Sequence, residues 1–373
     1  MAEQPKTHHA ALTRVVAANG LILKMLALVG LLYLFILSIT LLGAAFKMLG
    51  SDVANAIMQA TANPLVGVAI GILATSVIQS SSTTTSVIVG MVGSGTLSLQ
   101  AAVPMIMGSN IGTSVTNTLV SLFHLQRRSE FKAAFTGGIV HDFFNICSVI
   151  VLLPLQIYFN VVGFSAEWVE HALGGSSGLD FKSPLKVITK PVADGVLSVL
   201  GDNGWLGAIV ALILLFVALR FIVKVIKSLV LVKVERFFQR YIFRTPVLGF
   251  VLGIFLTVLV QSSSITTSLV IPLIGAGVLT LTQVYPYMLG ANIGTTITAF
   301  MASLATGSHS AVAVAFAHLT FNCYGIAIFW PLKRVPIWLS MRMADLAMKS
   351  KLIPLIYLAI VFYAIPLLVI TLG

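Results

Sequence analysis

Two runs of 22 residues, Met25 to Phe46 and Leu352 to Gly373, contain no charged side chain. That matches the roughly 20 apolar residues a helix needs to cross about 30 Å of hydrocarbon. Further apolar runs end at Arg220 and at Lys333. Of the 373 residues, 58% are hydrophobic and 9% charged, where soluble domains carry roughly 25% charged residues. The chain therefore reads as an all-α polytopic membrane protein.

The net charge of +11 does not indicate a nucleic-acid partner. Its basic residues gather where apolar runs stop: Lys224, Lys227, Lys233, Arg236, Arg240 and Arg244 after one, Lys333, Arg334, Arg342, Lys349 and Lys351 after another. Such clusters mark cytoplasmic loops, and no nucleic-acid-binding module accompanies them. Cys147 and Cys323 each lie in a hydrophobic stretch and read as packing residues, not a disulfide framework. The polar first twenty residues precede an apolar run too long for a cleaved signal, so that run reads as a retained span and the N-terminus as cytoplasmic.

Within the chain, one segment occurs twice. With an offset of 182, Gln79-Ser80-Ser81-Ser82 falls on Gln261-Ser262-Ser263-Ser264, and Gly108, Asn110, Ile111, Gly112, Thr113 and Thr116 fall on Gly290, Asn292, Ile293, Gly294, Thr295 and Thr298. From Gln79 to Leu122, 20 of 44 positions are identical to their counterparts. After a five-residue deletion, His141-Asp142-Phe143-Phe144-Asn145 matches His318-Leu319-Thr320-Phe321-Asn322. A polar string and its spacing repeated together indicate duplication.

Loop charge orients the copies. The loop after Leu122 carries Arg127, Arg128 and Lys132, whereas its counterpart, Ala305 to Ser310, has neither Lys nor Arg. The second copy is instead flanked on both sides by basic loops, and the first by the mixed Phe164 to Asn203 segment with Glu167, Glu170, Asp180, Asp194 and Asp202. The positive-inside rule then predicts two inverted-topology repeats. Pro64 to Ile78 and Thr83 to Val92 are each too short to span, which predicts a re-entrant helical hairpin carrying QSSS in each repeat, followed by a broken transmembrane helix. The expected organisation is a cytoplasmic tail (1–24), a first span and connector (25–63), repeat 1 (64–163), an extracellular connector (164–204), a span with a basic segment (205–244), repeat 2 (245–332), and a connector with the last span (333–373).

Between Pro64 and Leu122, and between Pro246 and Ser308, there is no Asp, Glu, Lys, Arg or His. Scattered Ser and Thr in such segments usually bond their own helix backbone. A repeated polar string beside helix breaks is different, because hydroxyls and amides donate to anions and also offer oxygens to a hard cation. An anion and a sodium ion bound together would each supply the counter-charge the other needs in a buried site, which is a physical basis for symport.

At these residues the chain closely resembles the type II sodium–phosphate cotransporter family. The two QSSS strings, Gly-Ser-Asn-Ile-Gly-Thr at 108–113 and Gly-Ala-Asn-Ile-Gly-Thr at 290–295 carry the match, over about Pro64 to Pro154 and Thr245 to Pro331. The resemblance implies sodium-coupled uptake of inorganic phosphate across the cell inner (cytoplasmic) membrane, with sodium as co-substrate and no other cofactor. It implies phosphate contacts from Ser80, Ser81, Ser82, Ser262, Ser263 and Ser264, with Asn110, and sodium contacts from Gln79, Gln261, Asn292, Thr113, Thr295 and Thr298. Animal members carry a long disulfide-linked loop between the halves that is short here and lacks cysteine. Some members carry an acidic residue near the position of Arg127, tied to an additional sodium ion.

Among intramembrane ionisable groups, His141 and Asp142, with Asn145 and Asn322, are candidates for a coupling step. A mutually bonded structural pair explains His141 and Asp142 equally well, and His318 reads as a packing group. The nearest alternative function is a sodium–dicarboxylate or sulfate symporter, ahead of an anion channel. An intramembrane serine hydrolase lacks the Gly-x-Ser-x-Gly elbow, so the chain is not expected to be an enzyme. A homodimer is compatible with the sequence, which does not set the oligomeric state.

Overall fold

The computed structural model describes residues 6–125, 128–175, 184–241 and 245–373. Arg127, Asp180 and Arg244, used in the loop-charge reading, lie outside them. Every regular element among the described residues is helical. α1 (Lys6–Met48) and α2 (Gly50–Ala60) lead into α3 (Pro64–Ile78), α4 (Ser81–Ser94), α5 (Leu99–Gly112), α6 (Val115–Leu122) and α7 (Arg128–Phe159). α8 (Val161–Gly175), α9 (Pro184–Val199) and α10 (Gly204–Tyr241) connect these to α11 (Pro246–Val260), α12 (Ser263–Ser268), α13 (Ile271–Gly275), α14 (Leu281–Thr306) and α15 (His309–Phe329). α16 (Arg334–Ala347) and α17 (Ile353–Ala359) precede a π-helical turn, Ile360–Ala364, and α18 (Ile365–Leu372).

Six segments among the described residues are long and apolar enough to cross a membrane: Leu21–Met48, Glu130–Phe159, Gly204–Ile226, Leu281–Thr306, His309–Phe329 and Ile353–Leu372. The protein is a multi-pass, all-helical membrane protein. α10 shows why lipid is its solvent. Ala208, Ala211, Leu215, Ala218 and Ile222 form its buried face, while Leu206, Ile209, Ile213 and Phe216, equally apolar, point outward and are exposed. An amphipathic helix of a soluble protein would carry polar groups there. Small residues on the inner face let α1 and α10 pack closely, with Gly207 beside Ala45, as is common between helices in lipid.

The two copies repeat each other's packing. α3 lies on α5, and α11 on α14, through paired glycines. A β-carbon on Gly108 would overlap the Val68 carbonyl, and one on Gly290 would overlap the Phe250 carbonyl; Gly71 and Gly253 face the Met105 and Tyr287 carbonyls in the same way. The copies also interleave: α4 packs on α14 and α15, and α13 on α7.

They differ in one respect from the expectation. The broken helix exists in the first copy only, where Thr113 and Ser114 separate α5 from α6. Its counterpart α14 is continuous over 26 residues. In the first copy the Thr113 carbonyl is taken by Ser264 Oγ at 3.2 Å, an external donor that lets the ladder be interrupted. The second copy breaks elsewhere, between α12 and α13, where Pro272 replaces the equivalent Gly90 and removes a helix N–H. Residues 6–24, expected as a tail, continue helically into α1.

Candidate functional site

Each QSSS string is the joint between two short helices, and both joints have the same backbone. Gln79 takes φ 58° and ψ 27°, Gln261 φ 54° and ψ 29°. Both are left-handed, a conformation costing a non-glycine residue roughly 1–2 kcal/mol. The next residues, Ser80 (φ −153°, ψ 103°) and Ser262 (φ −156°, ψ 108°), are extended and act as N-caps, accepting from Thr83 N and Ile265 N. Each glutamine offsets its strain with its own side chain. Nε2 of Gln79 donates to the Ser76 carbonyl and Nε2 of Gln261 to the Val258 carbonyl. Their Oε1 atoms accept from Thr116 (2.9 Å) and Thr298 (2.7 Å), residues that are themselves equivalent.

The chain brings both joints to one cavity of about 720 Å³. Gln79, Ser80, Thr83 and Thr116 line one side, and Gln261, Ser262 and Ser264 the other. Ser81, Ser82 and Ser263 are buried just behind the wall. Ser82 Oγ donates to the Gln261 carbonyl at 3.3 Å, tying the first joint to the second. Asn117 Nδ2 donates to Thr267 Oγ1 at 2.8 Å, a second bridge between the copies.

The remaining sequence candidates lie deeper. Thr113 and Thr295 donate to the carbonyls four residues back, Ser109 and Ala291. The asparagines and histidines form a buried, crossed network in which each copy bonds the other. His141 Nε2 meets Asn292 Oδ1 at 2.6 Å, and His318 Nε2 meets Asn110 Oδ1 at 3.2 Å. Asn292 Nδ2 donates to Asn145 Oδ1 (2.8 Å), and Asn110 Nδ2 to Asn322 Oδ1 (3.2 Å). Asn145 Nδ2 links the two clusters by donating to the Asn110 carbonyl. With the amide nitrogens so engaged, each histidine carries its proton on Nε2. His318 is thus the mirror of His141. Asp142 is fully buried, with Oδ2 accepting from Thr118 (3.2 Å) and Tyr357 Oη (3.1 Å).

One expectation needs correcting. The duplicated segments carry no charge, but the cavity does: α10 places Arg220 and Lys224 in its wall. In the sequence Arg220 marks the end of an apolar run and Lys224 belongs to the basic cluster that follows it. Their position over the QSSS joints comes from tertiary packing.

Residues 34–158 and 214–368 match the Na+/Pi-cotransporter family model. The chain belongs to the Na+/Pi-cotransporter family. It is similar to the sodium-dependent phosphate transport protein 2A of Rattus norvegicus, 35% identical over 428 residues that cover 93% of this chain and 67% of that protein. It is also similar to the sodium-dependent phosphate transport proteins 2B of Homo sapiens and Pongo abelii, each 32% identical over 445 residues and 93% of this chain. The chain spans 64% and 65% of the length of those two proteins. No solved structure matches this Na+/Pi-cotransporter family member. Both QSSS joints, the crossed network and α10 from residue 214 onward fall inside the matched regions.

Proposed function

We propose that the protein is a secondary active transporter that carries inorganic phosphate with sodium across the cytoplasmic membrane by alternating access. The observation that carries this reading is the convergence of two QSSS joints, with matching backbones and matching Gln–Thr clamps, on one cavity. Relatives at 32–35% identity that bear the name sodium-dependent phosphate transport protein support it.

Phosphate is held by the wall hydroxyls Ser80 and Ser262 together with the N-terminus of α4, whose backbone N–H groups and dipole favour an anion; Ser264, whose O–H goes to the Thr113 carbonyl, offers only its oxygen, to a protonated phosphate. Ser81, Ser82, Ser263 and Asn110 support that wall from behind. Sodium takes oxygens of Gln79 and Gln261 and of the Thr116 and Thr298 hydroxyls that bond them, with Thr113, Thr295 and Asn292 as further oxygen donors. The loop charges support two inverted-topology repeats, and the 15 and 14 residues of α3 and α4, about 22 Å each at 1.5 Å per residue, support a re-entrant hairpin. With a cytoplasmic N-terminus, Arg220 and Lys224 face the cytoplasm, so the cavity is open inward.

Reconstituted into proteoliposomes, the protein is expected to accumulate radiolabelled phosphate under a sodium gradient. Uptake that persists unchanged with choline in place of sodium would falsify the coupling. Ser262→Ala removes a wall hydroxyl that accepts from Ile265 N and can still donate its own hydrogen; a hydrogen bond to a charged group contributes about 1.5–3 kcal/mol, so KM for phosphate should rise roughly tenfold to a hundredfold. Arsenate is expected to compete and succinate not to, which separates phosphate from dicarboxylate transport.

A smaller effect is expected of Arg220→Gln/Lys224→Gln. Both side chains are exposed at the mouth, so their attraction for phosphate is weakened by water and screened over about 8 Å at physiological salt. Affinity on that side should fall only roughly a few-fold, and the difference from wild type should vanish as ionic strength rises. A salt-independent loss would instead place these residues in direct contact with substrate.

A further inference from the structure

A second polar cavity, of about 180 Å³, lies at the other end of the molecule. Lys47 from the C-terminal end of α1, and Lys186 and Lys190 from α9, line it with Asp194, Thr40, Ser94 and Thr306. Its position follows from the helices it shares with the QSSS cavity. α4 begins at the QSSS joint and delivers Gly90, Gly93 and Ser94 to this second hollow, roughly 18 Å further along at 1.5 Å per residue. α10 meets α1 at Gly207 beside Ala45, next to this hollow, and lines the QSSS cavity from Phe216 to Lys224, about 14 to 26 Å away by the same rise. In the wall of this hollow Gly93 abuts Thr306, where α4 meets α14.

Three lysines face one carboxylate here. Lys186 is half-buried and its Nζ donates to the Thr306 carbonyl, 2.7 Å away, at the end of α14. Burial, and then the charges of Lys47 and Lys190, hold the Lys186 ammonium below the ordinary lysine range. Like charges gathered around a hollow raise the energy of the unliganded protein and favour a ligand of opposite charge. Thr40, Ser94 and Thr306 add hydroxyls to the same wall.

We propose that Lys47, Lys186 and Lys190 form a separate phosphoryl-oxyanion site on the face opposite the open mouth of the QSSS cavity, recruiting free phosphate there. The recruiting role rests on the transport reading; the site itself does not.

The test is lysine acylation of the purified full-length protein, quantified residue by residue by mass spectrometry, in sodium-free choline buffer at constant ionic strength. With inorganic phosphate at ten times its Kd, labelling of Lys186 and Lys190 is expected to fall roughly tenfold, the fraction left free by simple mass action. Lys333 and Lys351, remote from the cavity, should label as before. Absence of protection overturns the site. Protection by added phosphatidylglycerol, with none by phosphate, assigns the lysines to a lipid headgroup and overturns recruitment. In transport assays, Lys186→Gln/Lys190→Gln should raise KM for phosphate presented from that face roughly tenfold, in the range of electrostatic steering, with kcat unchanged. A fall in kcat at constant KM would make the lysines structural and overturn the recruiting role. The labelling result stands whether or not uptake proves sodium-coupled.

Discussion

Gly290→Ala is expected to destabilise the protein severely. Its β-carbon would overlap the Phe250 carbonyl, and on the facing helix Gly253 already abuts the Tyr287 carbonyl, so backbone meets backbone on both sides. No rotamer change relieves such a clash, and α11 must move off α14. Overpacking commonly costs about 1–3 kcal/mol where side chains can shift. Here the cost should reach or exceed the upper end, against a total stability of roughly 5–15 kcal/mol. Gly108→Ala, the equivalent change between α3 and α5, should behave alike. Gly195→Ala is the control, since a β-carbon there has no neighbour within 4 Å and glycine in a helix costs about 0.5–1 kcal/mol relative to alanine. Thermal unfolding in detergent and size-exclusion chromatography read the outcome. A monodisperse Gly290→Ala protein with the wild-type Tm would show that the crossing is looser than described.

Asn292→Ala carries the second large effect. It strips partners from His141 Nε2 and Asn145 Oδ1, both fully buried. Each orphaned buried group costs about 1–3 kcal/mol, so stability should fall by roughly 2–6 kcal/mol. Asn110→Ala should do the same to His318 and Asn322. Because each asparagine joins its own copy to the other, both variants should also lose phosphate uptake under conditions where they remain folded. Asn63→Ala removes only an exposed helix cap and should cost about 1 kcal/mol with transport intact. Equal Tm values for Asn292→Ala and Asn63→Ala would remove the network from the account of what holds the two copies together.

Much of this was legible in the sequence because duplication writes itself twice. The 182-residue offset pairs Gln79 with Gln261 and Thr116 with Thr298, and the same offset relates the Gln–Thr clamps. The paired glycines 108 and 290 were visible as repeated identities, though only the packed helices reveal that they let backbones touch. Asymmetry was harder to read. α5 is interrupted while α14 is not, because Ser264 reaches the Thr113 carbonyl whereas its counterpart Ser82 bonds the Gln261 carbonyl instead. No local rule predicts which of two equivalent hydroxyls will find which carbonyl.

The apolar runs, the repeat and the pairing of QSSS with NIGT determine a multi-pass helical protein whose polar residues cluster in two related segments. Hydrophobic length and a repeated polar string are properties of the chain alone. Tertiary packing decided that both joints open on one cavity and that His141 and His318 bond across the copies. It also decided that the cavity built from two uncharged segments has Arg220 and Lys224 in its wall. Charge at a site is a property of everything brought near it, and Arg220 lies about 140 residues from the first joint and only some forty from the second along the chain, but beside both in space.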